Sequence, residues 1–176
     1  MPAATARPAP VRPTPAAAAP ACGWLSPAEQ GAWRSWLAAD RWLLDRLDRQ
    51  LQAEAGMSHA DYEILVHLSE ADGDRMRMSD LAQRALFSRS RLSHAVSRLE
   101  RLGWVAREDC PTDRRGMYAV LTAEGRAALE SAAPGHVATV RHLVFDALDP
   151  EDVAHLERLT TAIRRALEAD ETAAPP

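Results

Sequence analysis

The chain has 176 residues, of which 47% are apolar and 26% charged, and a formal net charge of -4. These proportions suit a folded protein of one domain with additional elements. Two cysteines in unlike contexts form neither a metal-ligand pattern nor a disulfide framework, and no apolar run approaches the roughly 20 residues of a membrane span, so a cytoplasmic protein with no cofactor, metal or membrane contact is expected.

All 21 basic residues are arginine, and they are unevenly placed. Residues 76–115 hold nine arginines against five acids, a balance of +4, which leaves twelve arginines and twenty acids elsewhere, a balance of -8. A basic segment inside an acidic chain is the electrostatic footprint that phosphate binding needs.

In chain order, residues 1–25 read as a disordered Pro/Ala-rich tail, with six prolines and nine alanines in the first 22 residues. Order begins at "SPAE": Ser26 caps a helix, Pro27 suits its first position and Glu29 completes a capping box. The stripe Trp33, Trp36, Leu37, Leu44, Leu47 and Leu51 then predicts a helix of about seven turns, over 26–56 and ended by Gly56. Asp40 falls on that stripe, where an unpaired carboxylate is costly. It reads either as an ion pair with an arginine of the same or a partner helix, or as a polar contact in an effector pocket beside Trp36. His59 and His67 are candidate lining residues of the same pocket.

Ser58 and Asp61 form the next capping box, with Met57 and Tyr62 as its hydrophobic staple, and open a helix through "DYEILVHLSEA". A loop with Asp72, Gly73 and Asp74 follows. Ser79 is then expected to cap the short helix "DLAQRAL", and Ser88 to cap a second that runs to Gly103. Two short helices across a tight turn make a helix-turn-helix. Leu92, Val96 and Leu99 anchor the second helix. Ser90, Arg91, Ser93, His94 and Ser97 are assigned to its outer face, Ser88 and Arg89 lie at its start, and Ser79 and Arg98 complete the candidate DNA-binding set.

After Gly103, "WVARE" and "MYAVL" read as strands joined by the polar loop "DCPTDRRG", a hairpin with two arginines at its tip. The DNA-binding domain is therefore expected over 57–121. Thr122 opens a helix that Pro134-Gly135 should kink or split. "DPED" caps a last helix whose stripe is Val153, Leu156, Leu159, Ile163 and Leu167. The helices over 122–170, with the first one, carry more apolar surface than a small domain can cover, and are predicted to pack on a second copy. Residues 171–176 read as a loose tail.

The run 98–126, "RLERLGWVAREDCPTDRRGMYAVLTAEGR", resembles the signature of MarR-type transcriptional regulators, through Arg98-Leu99, Gly103, Arg107, the D-x-R of Asp113 and Arg115, Leu121-Thr122 and Gly125-Arg126. The resemblance implies a mostly α fold with a small β-hairpin wing, a winged helix-turn-helix with long N- and C-terminal dimerisation helices. It implies a homodimer on double-stranded DNA, binding a pseudo-palindromic operator as a repressor released by a small-molecule effector. In the wing, Arg115 is expected in a narrow minor groove, Asp113 holds its guanidinium in place and Arg114 contacts a phosphate. Rival readings are a redox sensor acting through Cys110 or Cys22 and a winged protein–protein module. An enzyme is not expected: Ser93 and His94 are adjacent and point apart on a helix, and no nucleophile elbow or phosphate loop is present.

Overall fold

The computed structural model describes residues 23–110 and 113–173. It divides into two compact units, up to Asp40 and from Arg41 onward. The first unit carries the start of helix α1 (Pro27–Ala55), where Ser26 and Glu29 form the expected capping box: the Glu29 amide donates to Ser26 Oγ at 3.3 Å and the Ser26 amide to Glu29 Oε2 at 2.7 Å. Along α1 the predicted stripe is uncovered at Trp33, Trp36 and Leu44 and buried at Leu47 and Leu51.

The second unit continues with α2 (His59–Ser69), strand β1 (Arg75–Arg77), α3 (Met78–Arg84), α4 (Arg89–Arg101), β2 (Val105–Cys110), β3 (Asp113–Leu121), α5 (Ala123–Leu143) and α6 (Pro150–Ala173). The strands form an antiparallel sheet in the order β1-β3-β2, with Arg77 opposite Tyr118 and Val105 opposite Leu121. One core joins all these elements except α6: Leu51, Tyr62, Ile64, Leu65 and Leu68 meet Leu81, Leu92, Val96 and Leu99, closed by Val105, Ala119, Leu121 and Leu129. Burying such side chains contributes about 1.5–3 kcal/mol each before entropy is counted.

Several expectations change. β1 occupies residues read from the sequence as loop, so the wing rests on a third strand. α3 therefore starts directly from β1, with Arg77 at the cap position, and Ser79 is not a cap: its hydroxyl lies in the first turn and donates to Asp80 at 2.9 Å. The strands of the hairpin are longer than expected and its loop shorter. Cys110 ends β2, 4% exposed, and Arg114 and Arg115 stand on β3 rather than at a loop tip. α5 runs unbroken through Pro134 and stops at Leu143, before a 3-10 turn at Phe145–Ala147. α6 extends to Ala173, beyond the expected end of order at 170; residues 1–22 and 174–176 lie outside the described residues.

Asp61 is the only buried charged residue among those described, 3% exposed. Its carboxylate accepts from the Ser58 amide at 3.1 Å, the Ser58 hydroxyl at 2.7 Å and Arg98 Nε at 3.2 Å, with a second Arg98 nitrogen on its other oxygen. A helix cap and a tertiary ion pair thus share one group, and Arg98, assigned to DNA from the sequence, is committed to holding α4 on α2. α4 ends in a Schellman motif: the Trp104 amide reaches Leu99 O and the Gly103 amide Glu100 O, with Gly103 at φ +74°. α3 ends in the same motif, Phe87 to Ala82 and Leu86 to Gln83, but its left-handed position is Leu86 at φ +52°. At the start of α5, a Cβ on Gly125 would fall on the Trp104 carbonyl oxygen, so only glycine lets this helix close on the wing.

Two stability predictions follow from these ends and anchors. Leu86 is 81% exposed, so L86G loses little burial and removes the left-handed penalty. A gain of about 1 kcal/mol is expected, read as a rise of about 2–4 °C in Tm. R98A strands the buried Asp61 carboxylate and should cost about 2 kcal/mol by urea unfolding; unchanged stability would return Arg98 to the solvent face.

Candidate nucleic-acid interface

α4 presents three different flanks. Ser88 caps it, accepting from the Arg91 amide at 3.2 Å, and no acid lies in its first turn. Leu92, Ala95, Val96 and Leu99 face the core. On one side Arg98 reaches Asp61. On the other, Arg107 of β2 donates to the Ser93 carbonyl at 3.0 Å and the Ser97 hydroxyl at 3.1 Å, and its second amino group pairs with Glu100 at 3.0 Å.

What remains outward in the first half of α4 is Arg89, Ser90, Arg91 and His94, all exposed, and Arg101 is exposed in its last turn. Arg91 lies over the Phe87 ring at 4.0 Å, which holds its stem against the helix-turn-helix. Ser90 and Ser88 hydroxyls are 3.2 Å apart. Of the outer-face set expected from the sequence, Ser97 is half-buried and turned to the wing, and Ser93 is exposed but flanks the same contact. Ser79 is exposed at the start of α3, beside a cleft of about 580 Å³ that Arg77, Arg89, Arg107 and Asp113 also line.

At the root of the wing, Arg77 pairs with Asp113 at 3.4 Å. Cys110 first, then the Tyr118 hydroxyl and Asp113, push the Arg77 pKa further up, so this cation is fixed. Arg75 pairs with Glu108 at 3.8 Å, and both arginines flank the Tyr118 ring, at 5.2 and 5.6 Å. Asp113 therefore engages β1 as well as belonging to the D-x-R element; the side chains of Arg114 and Arg115 lie outside the described residues. Cys110 is buried in this root, the opposite of the exposure that a reactive thiol requires, and Cys22 lies outside the described residues.

The candidate effector residues fall in separate places. Trp36 and Asp40 lie in the first unit, both exposed, so Asp40 bears no burial cost: the stripe is open at this level of α1. His59 and His67 are half-buried on α2. The His59 amide donates to Asp48 of α1 at 2.9 Å, its ring stands 3.8 Å from Glu63, and its centroid is 5.9 Å from that of His136 on α5. Tyr62 packs on His136 at 4.3 Å. Burial first, and then His59, pull the His136 pKa below its ordinary value. Nearby, α1 and α5 border an open cleft of about 560 Å³ lined by Arg46, Arg49, Gln50, Glu54, Thr139 and His142. Gln50 Oε1 and His136 Nδ1 are buried without a hydrogen-bond partner among the described residues.

The sequence reading did not single out Arg77 as a site residue, and took Arg107 only as the end of a strand. A signal for Arg107 was present: it shares the inward face of β2 with Val105 by the two-residue period of a strand. Arg77 carried none, because β1 itself was unread. Among the described residues no group of three or more His, Cys, Asp or Glu is placed to hold a metal ion, and no helix is long and apolar enough to cross a membrane.

The MarR family profile matches residues 55–116. Sco3205 from Streptomyces coelicolor, a MarR family transcriptional regulator whose crystal structure is in complex with DNA, is 51% identical; the match covers 82% of this chain and 94% of that one, with a TM-score of 0.79. AbsC, a MarR family transcriptional regulator from the same organism, is 47% identical, with 83% and 98% covered and a TM-score of 0.78. The transcriptional repressor YetL of Bacillus subtilis (strain 168) is 30% identical over 99 residues, 56% of this chain and 59% of YetL, so the chain spans little more than half of that relative. With near-complete coverage of two family members at about half identity, the chain belongs to the MarR family of transcriptional regulators, which are not enzymes.

Proposed function

We propose that this protein is a sequence-specific DNA-binding repressor that acts in the cytoplasm as a homodimer on a pseudo-palindromic operator. The observation that carries the reading is the first half of α4. Arg89, Ser90, Arg91 and His94 are exposed there beside a capped helix start with no acid, and neither Arg89 nor His94 has a hydrogen bond or ion pair within the described residues. Such a surface offers charge to phosphates and short donors to base edges in a major groove. The DNA complex of the 51% identical Sco3205 supports it, and YetL, a repressor by name, supports the sign of regulation.

Dimerisation is supported by α6, none of whose described residues is buried, although Leu159, Ile163 and Leu167 form an exposed apolar stripe. With Val137, Leu143 and Phe145 also exposed, this surface calls for a cover. A second copy supplies one with two-fold symmetry, and sets the two α4 helices to enter successive major grooves about 34 Å apart. Release by a small-molecule effector is supported by the unpartnered Gln50 Oε1 and His136 Nδ1, which ask for hydrogen bonds near His59.

Fluorescence anisotropy against DNA from upstream of the protein's own gene, with a scrambled duplex as control, tests the reading. Selective binding that weakens steeply with salt is expected; equal, weak binding to both duplexes would count against it. R115A should weaken binding and relax preference at the base pairs under the wing. R89A should weaken binding to all duplexes by a similar factor and reduce the salt slope by about 1.

The half-buried His136 makes a separate prediction. Because the folded pKa of His136 lies below its ordinary value of 6.5, the unfolded chain binds the proton more readily. Its contribution to stability is complete above that value and is lost as pH falls toward the lowered folded pKa. H136Q should therefore show a shallower decline of Tm between pH 7.5 and 5 than the wild type; parallel curves would remove His136 as the titrating group.

A further inference from the structure

We infer that Arg107 is a positioning residue for DNA recognition: it sets the rotation of α4 about its own axis and couples that rotation to the wing. The inference rests on the DNA-binding reading above. Arg107 engages three residues of α4: Ser93 through its carbonyl at 3.0 Å and its hydroxyl at 3.5 Å, the Ser97 hydroxyl at 3.1 Å and the Glu100 carboxylate at 3.0 Å. Their spacing, i, i+4 and i+7, draws one straight stripe along two turns of helix. A guanidinium is planar and holds its donors in a fixed fork, so it engages such a stripe at one setting only.

The rest of α4 defines what that setting controls. At about 100° per residue, the core face of Leu92, Ala95, Val96 and Leu99 is flanked by the Arg107 stripe on one edge and by Arg98 on the other. Between the two edges lies a single outward arc, and Ser90 and His94 stand at its middle. A side-chain tip about 6 Å from the helix axis moves about 1 Å for each 10° of rotation. Hydrogen bonds to base edges tolerate a few tenths of an ångström. Apolar contacts are non-directional and do not hold a helix to that tolerance; the two arginines on its flanks do.

The two grips differ in what they attach to. Asp61 fixes α4 to α2, whereas Arg107 belongs to the strand that carries the wing. Through Val105, its neighbour on the same strand face, it is rooted in the core at 3% exposure. The groove-reading helix and the wing are thereby one rigid reading head, and Ser97 is a bolt in that head rather than a base contact.

The test uses a duplex enriched by the wild-type protein from a randomised pool, with single-base variants under α4 and under the wing, at four salt concentrations. R107Q should lose about ten- to a hundredfold on the enriched duplex. It should lose discrimination at both sets of positions, with no change in salt slope. R107K, which keeps the charge but not the fork, should recover only part of the discrimination. S97A should lose less than R107Q in the same direction, and the double variant no more than R107Q alone, because both remove one contact. A salt slope lower by about 1 with discrimination intact would make Arg107 a phosphate contact and overturn the inference. So would additive losses, or S97A losing discrimination at one base pair only. Should R107Q fail to melt cooperatively, the S97A/E100Q pair carries the same comparison, and wild-type discrimination in that variant overturns it. If the wild type enriches no duplex, it is the DNA-binding reading that falls, taking this inference with it.

Discussion

The reading surface depends on where one carboxylate is buried. Asp61 lies in the core with two donors from Ser58 and two from Arg98. A charge so placed costs several kcal/mol to desolvate and is tolerated only when every partner is in position. That requirement makes the contact directional in a way the surrounding leucines are not. It joins the first turn of α2 to the last turn of α4, so the cap that starts one helix also determines how the other lies. Arg107 performs the corresponding task on the opposite flank, from the wing.

These grips also sort the charge of the chain. The segment 76–115 is basic by +4, a balance that already counts Asp113 and Glu100, the partners of Arg77 and Arg107; of these pairs only Arg98 with Asp61 draws on an acid outside it. Positive charge outside these pairs stands on Arg84 and Arg101 and, at the start of α4, on Arg89 and Arg91. There it adds to the partial charge of a helix N-terminus. A net charge of -4 is therefore no obstacle to phosphate binding, since screening at physiological salt confines each field to about 8 Å.

Much of this was legible in the sequence where the physics is local. The caps Ser26, Ser58, Ser88, Thr122 and Asp149 were readable because a cap and its partner lie within three residues. The apolar stripe of α4 was readable because helical period and burial coincide. β1 was not: three residues, Arg-Met-Arg, show no alternation long enough to count, and their partners are on β3, some forty residues away. With β1 hidden, Ser79 was taken for a cap. The arginines of α4 and β2 were ambiguous for a different reason. A guanidinium serves equally to grip a buried carboxylate or a phosphate, and only the fold brings Arg98 to Asp61, 37 residues distant. Asp40 erred the other way: its place on a stripe implied burial, but the stripe is open at that level.

Open apolar stripes carry the last step. α6 spans 24 residues with no buried residue among those described, and most of a helix's stability in a protein comes from packing its amphipathic face. Its regular apolar stripe is therefore a surface awaiting cover. Under the homodimer proposed above, the same cover fixes the distance between two α4 helices. Each recognition helix is held in rotation by Asp61 and Arg107, and the pair is held in separation by the outer helices. Rotation determines which base edges each helix meets, and separation determines how far apart on the duplex the two meetings occur. Sequence selectivity of a palindromic kind needs both constraints, and in the proposed dimer they would be supplied by non-overlapping sets of residues.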